Sequence, residues 1–131
     1  PHYLSYYNAL AGGTENGYTF IADSNYDWGQ DLRLLADFVK ENNIQNIKLS
    51  YFGGGSARYY LGNTYEDWWS AKGEPFRGEW FAISATLRQT AWGNPTKGFE
   101  IKPQDRYEWM KDEIPVARAG YSIFIYNLDK E

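Results

Sequence analysis

Short hydrophobic runs alternate with an amphipathic segment along this chain, and this alternation most limits the fold it can adopt. The runs at 18–22 and 80–85 are apolar at both odd and even positions, which is typical of strands covered on both faces. The run IKLSYF at 47–52 is a further predicted strand, which ends at three glycines. Between the runs at 18–22 and 47–52, apolar residues recur at helical spacing from Trp28 to Val39, which predicts an amphipathic helix. A strand, a helix and a strand predict a βαβ unit with a right-handed parallel crossover.

The rest of the chain continues this pattern. Short helices are predicted at 56–61 and 64–71, a longer helix at 103–113, and a final strand at 121–128 whose direction the sequence does not give. The predicted fold class is therefore α/β, a three-layer sandwich with a mainly parallel, Rossmann-like central sheet of about four strands. Its domain would span 18–131, after an aromatic arm at 1–17. Ser24 or Asn25 is the predicted N-cap of the first helix.

Composition excludes several classes of function. A net charge of -4 with scattered Lys and Arg residues argues against a nucleic-acid surface, which needs clustered positive charge. With no cysteine and a single histidine, His2, disulfides, thiolate ligands, a Ser-His-Asp triad and a multi-histidine metal site are not expected. No run is long enough to span a bilayer. Because the chain starts at Pro1 without an initiator Met, we expect a longer parent protein.

Polar residues follow the predicted strands at the point where each strand ends. In an open α/β sheet, ligands usually bind in the crevice beyond the carboxyl ends of the strands. The loop DSNYDWGQD follows the first predicted strand, GGGSARYY follows the second, and the third leads into Ser84, Thr86, Arg88 and Gln89. If the strands are parallel, we expect these three loops to share one crevice. The candidate binding residues in these loops are Asp23, Asn25, Asp27, Trp28, Gln30, Asp31, Ser56 and Arg58.

The first of these loops partly matches a calcium-binding loop. Oxygen ligands alternate from Asp23 to Asp27, and Asp31 stands at the ninth position. The match fails at the sixth position, where Trp28 replaces glycine, and at the twelfth, where Leu34 cannot act as a bidentate ligand. No metal site or cofactor is therefore predicted, with Ca²⁺ kept as an alternative. The structural alternative is that these carboxylates cap the helix and complement its dipole.

The chain is unusually rich in aromatic residues, at 19%. Tyr and Trp combine a large apolar surface with a polar group, so they suit protein cores, sugar-stacking surfaces and membrane interfaces. The adjacent pair Trp68 and Trp69, with Trp80 and Trp92, could form a sugar-stacking platform. The alternative is that these rings divide between the core and the surface.

Four segments resemble a known bacterial and archaeal family. They are PHYLSYYNALAGG at the start, DSNYDWGQDL at 23–32, YFGGGSARYY at 51–60 and IPVARAGYSIFIYNL at 114–128. Together they are similar to the region after the last transmembrane helix in dolichyl-phosphate-mannose-protein mannosyltransferase-like proteins of glycosyltransferase family 39. The resemblance covers most of the chain, and DSNYDWGQDL is its most specific string.

The resemblance implies a location and partners. Such proteins are multi-pass enzymes that transfer a sugar from a polyprenyl-phosphate carrier on the outer face of the membrane. The chain would then be extracytoplasmic, periplasmic or extracellular, with the arm at 1–17 close to the membrane and the membrane-embedded part of the same polypeptide as its partner. The family's catalytic acidic residue belongs to an early loop between membrane helices. No matching segment exists here, so no catalytic residue is assigned.

The resemblance also implies a function. We expect an accessory domain of a membrane glycosyltransferase in protein glycosylation, which helps to bind the acceptor glycan or protein, or the lipid-linked sugar. The isolated domain is not expected to be catalytic. The alternatives are a structural cap, a carbohydrate- or calcium-binding module without catalysis, and a small hydrolase that uses Asp23, Asp27 and Asp31.

Overall fold

Five short strands form one mixed sheet in the computed structural model, which describes residues 29–93, 98 and 100–128. The strands are β1 (Ile47–Ser50), β2 (Tyr65–Asp67), β3 (Trp80–Ser84), β4 (Ala117–Ala119) and β5 (Ile123–Asn127). Their order in the sheet is β2-β1-β3-β5-β4. Strand β1 runs parallel to both β2 and β3, whereas β5 runs antiparallel to both β3 and β4.

The prediction of a mainly parallel, Rossmann-like sheet of about four strands is therefore wrong. Two neighbouring strand pairs are parallel and two are antiparallel. A short turn at 120–122 joins β4 to β5, and so short a connection can only return the chain antiparallel. Apolar residues at both odd and even positions of a strand indicate burial on both faces of the sheet, but they carry no information on strand direction. The strand predicted at 18–22 lies outside the described residues.

Helices and 3₁₀ turns connect the strands. The α-helices are α1 (Gln30–Glu41), α2 (Ala57–Leu61) and α3 (Ala85–Trp92), and the 3₁₀ turns are Ser70–Lys72, Pro103–Arg106 and Glu108–Met110. The predicted amphipathic helix is confirmed as α1, which buries Leu32, Leu35 and Val39 on one stripe. Its N-cap is Gly29, and the predicted caps at Ser24 and Asn25 lie outside the described residues.

Two of the predicted helices are not present as predicted. The segment 64–71 forms β2 and the start of a 3₁₀ turn, because Tyr65 pairs with Ile47 of β1. The segment 103–113 forms two 3₁₀ turns separated at Tyr107, whose φ of 44° lies in the left-handed region and interrupts a right-handed helix. The short helix predicted at 56–61 is confirmed as α2.

The sheet has a hydrophobic core on each face. On one face, helix α1 packs against Ile47 and Leu49 of β1 together with Ala82, Ile123 and Ile125. On the other face, Phe81, Phe124 and neighbouring residues pack against α3, Tyr107 and the 3₁₀ turn Glu108–Met110. Successive residues of β3 and β5 therefore point to opposite cores, which explains their continuous apolar runs. No helix in the described part of the chain is long and apolar enough to cross a membrane.

Candidate functional site

A cleft of about 520 Å³ opens beside the carboxyl end of β1. Because β1, β2 and β3 are mutually parallel, the residues that follow them share one edge of the sheet. Ser50 and Tyr51 come from the end of β1, Trp68 and Trp69 follow β2, and α3 follows β3 directly. The volume lies within the ordinary range of small-molecule sites. This edge is where α/β sheets usually bind ligands.

One wall of the cleft is aromatic. Trp69 is 54% exposed, so one of its surfaces is open to solvent. The ammonium of Lys72 lies 4.4 Å from the Trp69 ring centre and 5.0 Å from that of Trp68, and it forms an ion pair of 3.0 Å with Glu66. Trp68 donates from Nε1 to the carbonyl oxygen of Gly73 at 2.9 Å. These contacts hold the two indoles in place.

The four-tryptophan platform predicted from the sequence is only partly assembled. Trp68 and Trp69 line the cleft. Trp80 lies against the other core, where its ring packs edge-on against Phe38 with centroids 5.8 Å apart. Trp92 does not line the cleft, and it donates from Nε1 to the carbonyl oxygen of Arg106. Of the four tryptophans, the adjacent pair Trp68 and Trp69 is therefore the part that lies at the cleft.

The opposite wall combines apolar and polar groups. Leu87, Thr90 and Ala91 of α3 line it together with Ile101, and charged residues stand at the rim. Across the cleft, Ser70 Oγ donates to Asp105 Oδ1 at 2.5 Å. This bond joins the turn after β2 to the turn after α3, so both walls are fixed relative to each other.

The floor of the cleft contains a buried pair of hydroxyls. Ser50 Oγ and Tyr107 OH lie 2.8 Å apart, and both residues line the cleft. The Tyr107 ring packs against Phe81 and Trp109, with centroids 6.4 Å apart in each case. A left-handed backbone conformation costs a non-glycine residue about 1–2 kcal/mol, so this packing must compensate for it.

Burial raises the pKa of the Tyr107 hydroxyl above its ordinary value of 10.0. The hydrogen bond between Ser50 and Tyr107 lowers this pKa, the negative charge of Asp105 raises it, and a hydrogen bond with the backbone of Ser70 lowers it. The hydroxyl is therefore neutral at physiological pH and can donate a hydrogen bond.

This shift predicts a loss of stability in alkali. Above pH 10 the unfolded chain ionises at Tyr107 while the folded chain does not, so the contribution is complete below that pH and decreases above it. We expect Tyr107→Phe to cost about 1 kcal/mol at pH 7 through the lost hydrogen bond. The difference from wild type should shrink as the pH rises past about 10. Urea unfolding of both proteins at several pH values measures it, and a constant difference would contradict the assignment.

Two of the loops predicted to share a crevice do meet. A Cβ added to Gly29 would lie 2.7 Å from the Cα of Gly55, so the backbones of the loop before α1 and the loop after β1 are in contact. Glycine is required at this close approach, because any side chain would separate the loops. The strand predicted at 18–22 and residues 23–28 of the first loop lie outside the described residues, so the Gly29–Gly55 contact is the part of the predicted arrangement that the structure shows.

Asp31, however, faces the protein interior. Its side chain is fully buried, and Oδ2 accepts hydrogen bonds from the backbone N–H groups of Tyr121 at 2.9 Å and Ser122 at 2.8 Å. These amides belong to the turn between β4 and β5. The carboxylate therefore anchors α1 to that turn, a role that accounts for a polar group in the core.

The other predicted residues are dispersed. Gln30 is half-buried in the first turn of α1, Ser56 accepts at Oγ from the backbone N–H of Tyr59 as the N-cap of α2, and Arg58 is exposed. None of these three, nor Asp31, lines the cleft. The other four candidates are Asp23, Asn25, Asp27 and Trp28. They lie outside the described residues.

The described residues offer no cluster of three or more His, Asp or Glu side chains that could hold a metal ion. Asp31, the ninth-position ligand of the calcium alternative, is instead engaged by two backbone amides. The earlier ligands of that alternative lie outside the described residues. Sequence reasoning singled out Trp68 and Trp69 but missed the other lining residues, among them Ser50, Asp105 and Tyr107, for which no motif gave a signal.

Comparison with protein-family models, curated proteins and solved structures found no match to this chain.

Proposed function

We propose that this chain is the extracytoplasmic accessory domain of a polyprenyl-phosphate-sugar-dependent membrane glycosyltransferase, and that its cleft binds carbohydrate of the acceptor or the donor. The domain itself would not be catalytic. Its partners would be the membrane-embedded part of the same polypeptide and a glycan, protein acceptor or lipid-linked sugar.

The observation that carries this proposal is the half-exposed indole of Trp69 at the wall of a polar-rimmed cleft. A pyranose ring has an apolar face of C–H groups and a polar edge of hydroxyls. The first suits an aromatic ring and the second suits directional hydrogen-bonding groups. Thr90, Asp105 and the floor hydroxyls provide such groups within the same cleft.

The arrangement favours binding over hydrolysis. Hydrolysis of a glycoside usually needs two carboxyl groups on either side of the scissile bond, one of them with a raised pKa. Asp105 is bound to Ser70, and Glu100 is exposed at the rim. Asp31, a member of the proposed hydrolytic group, is buried beneath the β4–β5 turn. The cleft thus offers recognition groups without an evident acid–base pair among the described residues.

Replacing Trp69 with alanine should separate binding from packing. We expect Trp69→Ala to weaken the binding of neutral monosaccharides by about tenfold, because the stacking surface is removed. The free energy of unfolding should change by less than about 1 kcal/mol, since the ring is already half exposed. Titrations of both proteins with methyl pyranosides, followed by NMR amide shifts, give the measurement.

Phe76→Ala is the matched control, because Phe76 is an aromatic residue that is 82% exposed and does not line the cleft. It should bind sugar as the wild type does. In the intact parent protein, Trp69→Ala should also lower sugar transfer at a normal protein level. Unchanged transfer would favour the structural cap, and absence of any shift in the wild type at millimolar sugar would refute the proposal.

A further inference from the structure

We infer that the Ser50–Tyr107 pair on the cleft floor is a recognition point for one hydroxyl of a neutral sugar. The cleft would then take the acceptor glycan and discriminate against anionic sugars, the phosphate-linked donor among them. This inference rests on the proposed function and specifies the ligand of the same site. Two independent features of the cleft support it: the floor pair has a hydroxyl proton that no group in the described part of the chain accepts, and the charged residues of the lining carry a net negative charge.

The floor pair has more donors than it uses. Each hydroxyl brings one proton, and the bond of 2.8 Å between Ser50 Oγ and Tyr107 OH uses one of the two. Within the described residues, the Tyr107 hydroxyl also has a hydrogen bond with the backbone of Ser70, which lowers its pKa as a donating N–H group does and therefore uses neither hydroxyl proton. One O–H group therefore remains for an acceptor from outside the protein.

Burial makes that remaining O–H group significant. Ser50 is 2% exposed and Tyr107 is 6% exposed, so the remaining O–H group has little contact with bulk water and gains from an acceptor within the cleft. Both residues line the cleft, so an acceptor can reach them from there. The pair thus favours a ligand that places an oxygen at the floor.

The hydrogen bond within the pair can also run in either direction, because either hydroxyl can donate to the other. A sugar hydroxyl both donates and accepts hydrogen bonds. A group that does the same matches it, whereas a purely accepting carboxylate or phosphate would use only half of this capacity. Hence the floor itself favours a hydroxyl ligand.

The charges around the cleft also favour a neutral sugar. Glu100 and Asp105 contribute two carboxylates to the lining, and Lys102 contributes one ammonium. The neighbouring Lys72 is engaged by Glu66 at 3.0 Å. An anionic sugar would therefore enter a cleft with an excess of negative charge and without a second free ammonium in its described lining.

The test uses Ser50→Ala, Tyr107→Phe and the double variant, titrated with one neutral methyl pyranoside. Each single variant leaves one hydroxyl at the floor that can still donate, whereas the double variant leaves none. We therefore expect a small loss of affinity in each single variant and a loss of about tenfold in the double variant. Tyr59→Phe is the matched control, because Tyr59 is 81% exposed and lies outside the cleft.

Sugar analogues provide a second measurement that does not depend on the folding of any variant. Against the wild type, removal of one particular ring hydroxyl should weaken binding by about tenfold, and removal of the others by less. The corresponding uronic acid and sugar phosphate should bind at least tenfold more weakly than the neutral parent.

The outcomes distinguish the inference from the proposed function. If the wild type binds no sugar, both fail. If it binds sugar in a manner that depends on Trp69, but the double floor variant binds equally well, the function stands and the recognition point is refuted. If the uronic acid or sugar phosphate binds as tightly as the neutral sugar, the predicted discrimination is refuted.

Discussion

Asp31→Ala is expected to lower the free energy of unfolding by about 4 kcal/mol, because it leaves one buried and one part-buried backbone N–H group without their acceptor. Those groups belong to Tyr121 and Ser122 and lie within 2.9 Å of Asp31 Oδ2. The loss would be a large share of the total stability of a small domain. Urea unfolding followed by circular dichroism measures it.

Asp37→Ala is the matched control. Asp37 is an exposed carboxylate on the same helix, and its removal should change the free energy of unfolding by no more than about 0.5 kcal/mol. If the two variants were equally stable, the carboxylate of Asp31 would not be the anchor between α1 and the β4–β5 turn.

Gly120→Ala is expected to cost a comparable amount, for two reasons. The φ of Gly120 is +56°, in the left-handed region, which costs an alanine about 1–2 kcal/mol. A Cβ at this position would also overlap the carboxylate of Asp31, and such overpacking typically costs a further 1–3 kcal/mol or so. The same unfolding experiment should therefore show a loss of about 3–4 kcal/mol.

The double variant Asp31→Ala/Gly120→Ala tests the contact itself. Once the carboxylate is removed, the added methyl group has room, so the double variant should lose less stability than the two single variants added together. Gly62→Ala reports the backbone cost alone, because its φ is +57° and no heavy atom would lie within 4 Å of an added Cβ. Strict additivity of the two mutations would show that Gly120 and Asp31 do not meet as described.

The part of the fold that was predictable from the sequence is the part that depends on local periodicity. The stripe of Leu32, Leu35 and Val39 predicts α1, and the apolar runs predict β1, β3 and β5. For β3 the run also predicts burial on both faces, which the two cores confirm. The helix predicted at 64–71 was wrong, because pairing with β1 overrides the local preference of that short segment. The helix predicted at 103–113 was wrong, because Tyr107 adopts a left-handed backbone conformation, which cannot be predicted from the residue type.

The candidate site shows the same division. The adjacent residues Trp68 and Trp69 suggested a sugar-stacking surface, and both line the cleft. Asp31 was a reasonable ligand candidate by spacing, yet its hydrogen-bond partners stand 90 and 91 positions later in the chain. The floor pair joins residues 57 positions apart. No local pattern encodes such contacts.

The sequence by itself therefore determined which segments are buried on one stripe or on both faces, since that information lies in the spacing of apolar residues. It also determined that the chain lacks cysteine and has one histidine, which limits its chemistry. Only the tertiary structure decided that β5 runs antiparallel beside β3, that Asp31 faces inward and that Ser50 meets Tyr107. The physical reason is that strand direction and side-chain partners depend on contacts between distant segments, which form only when the sheet assembles.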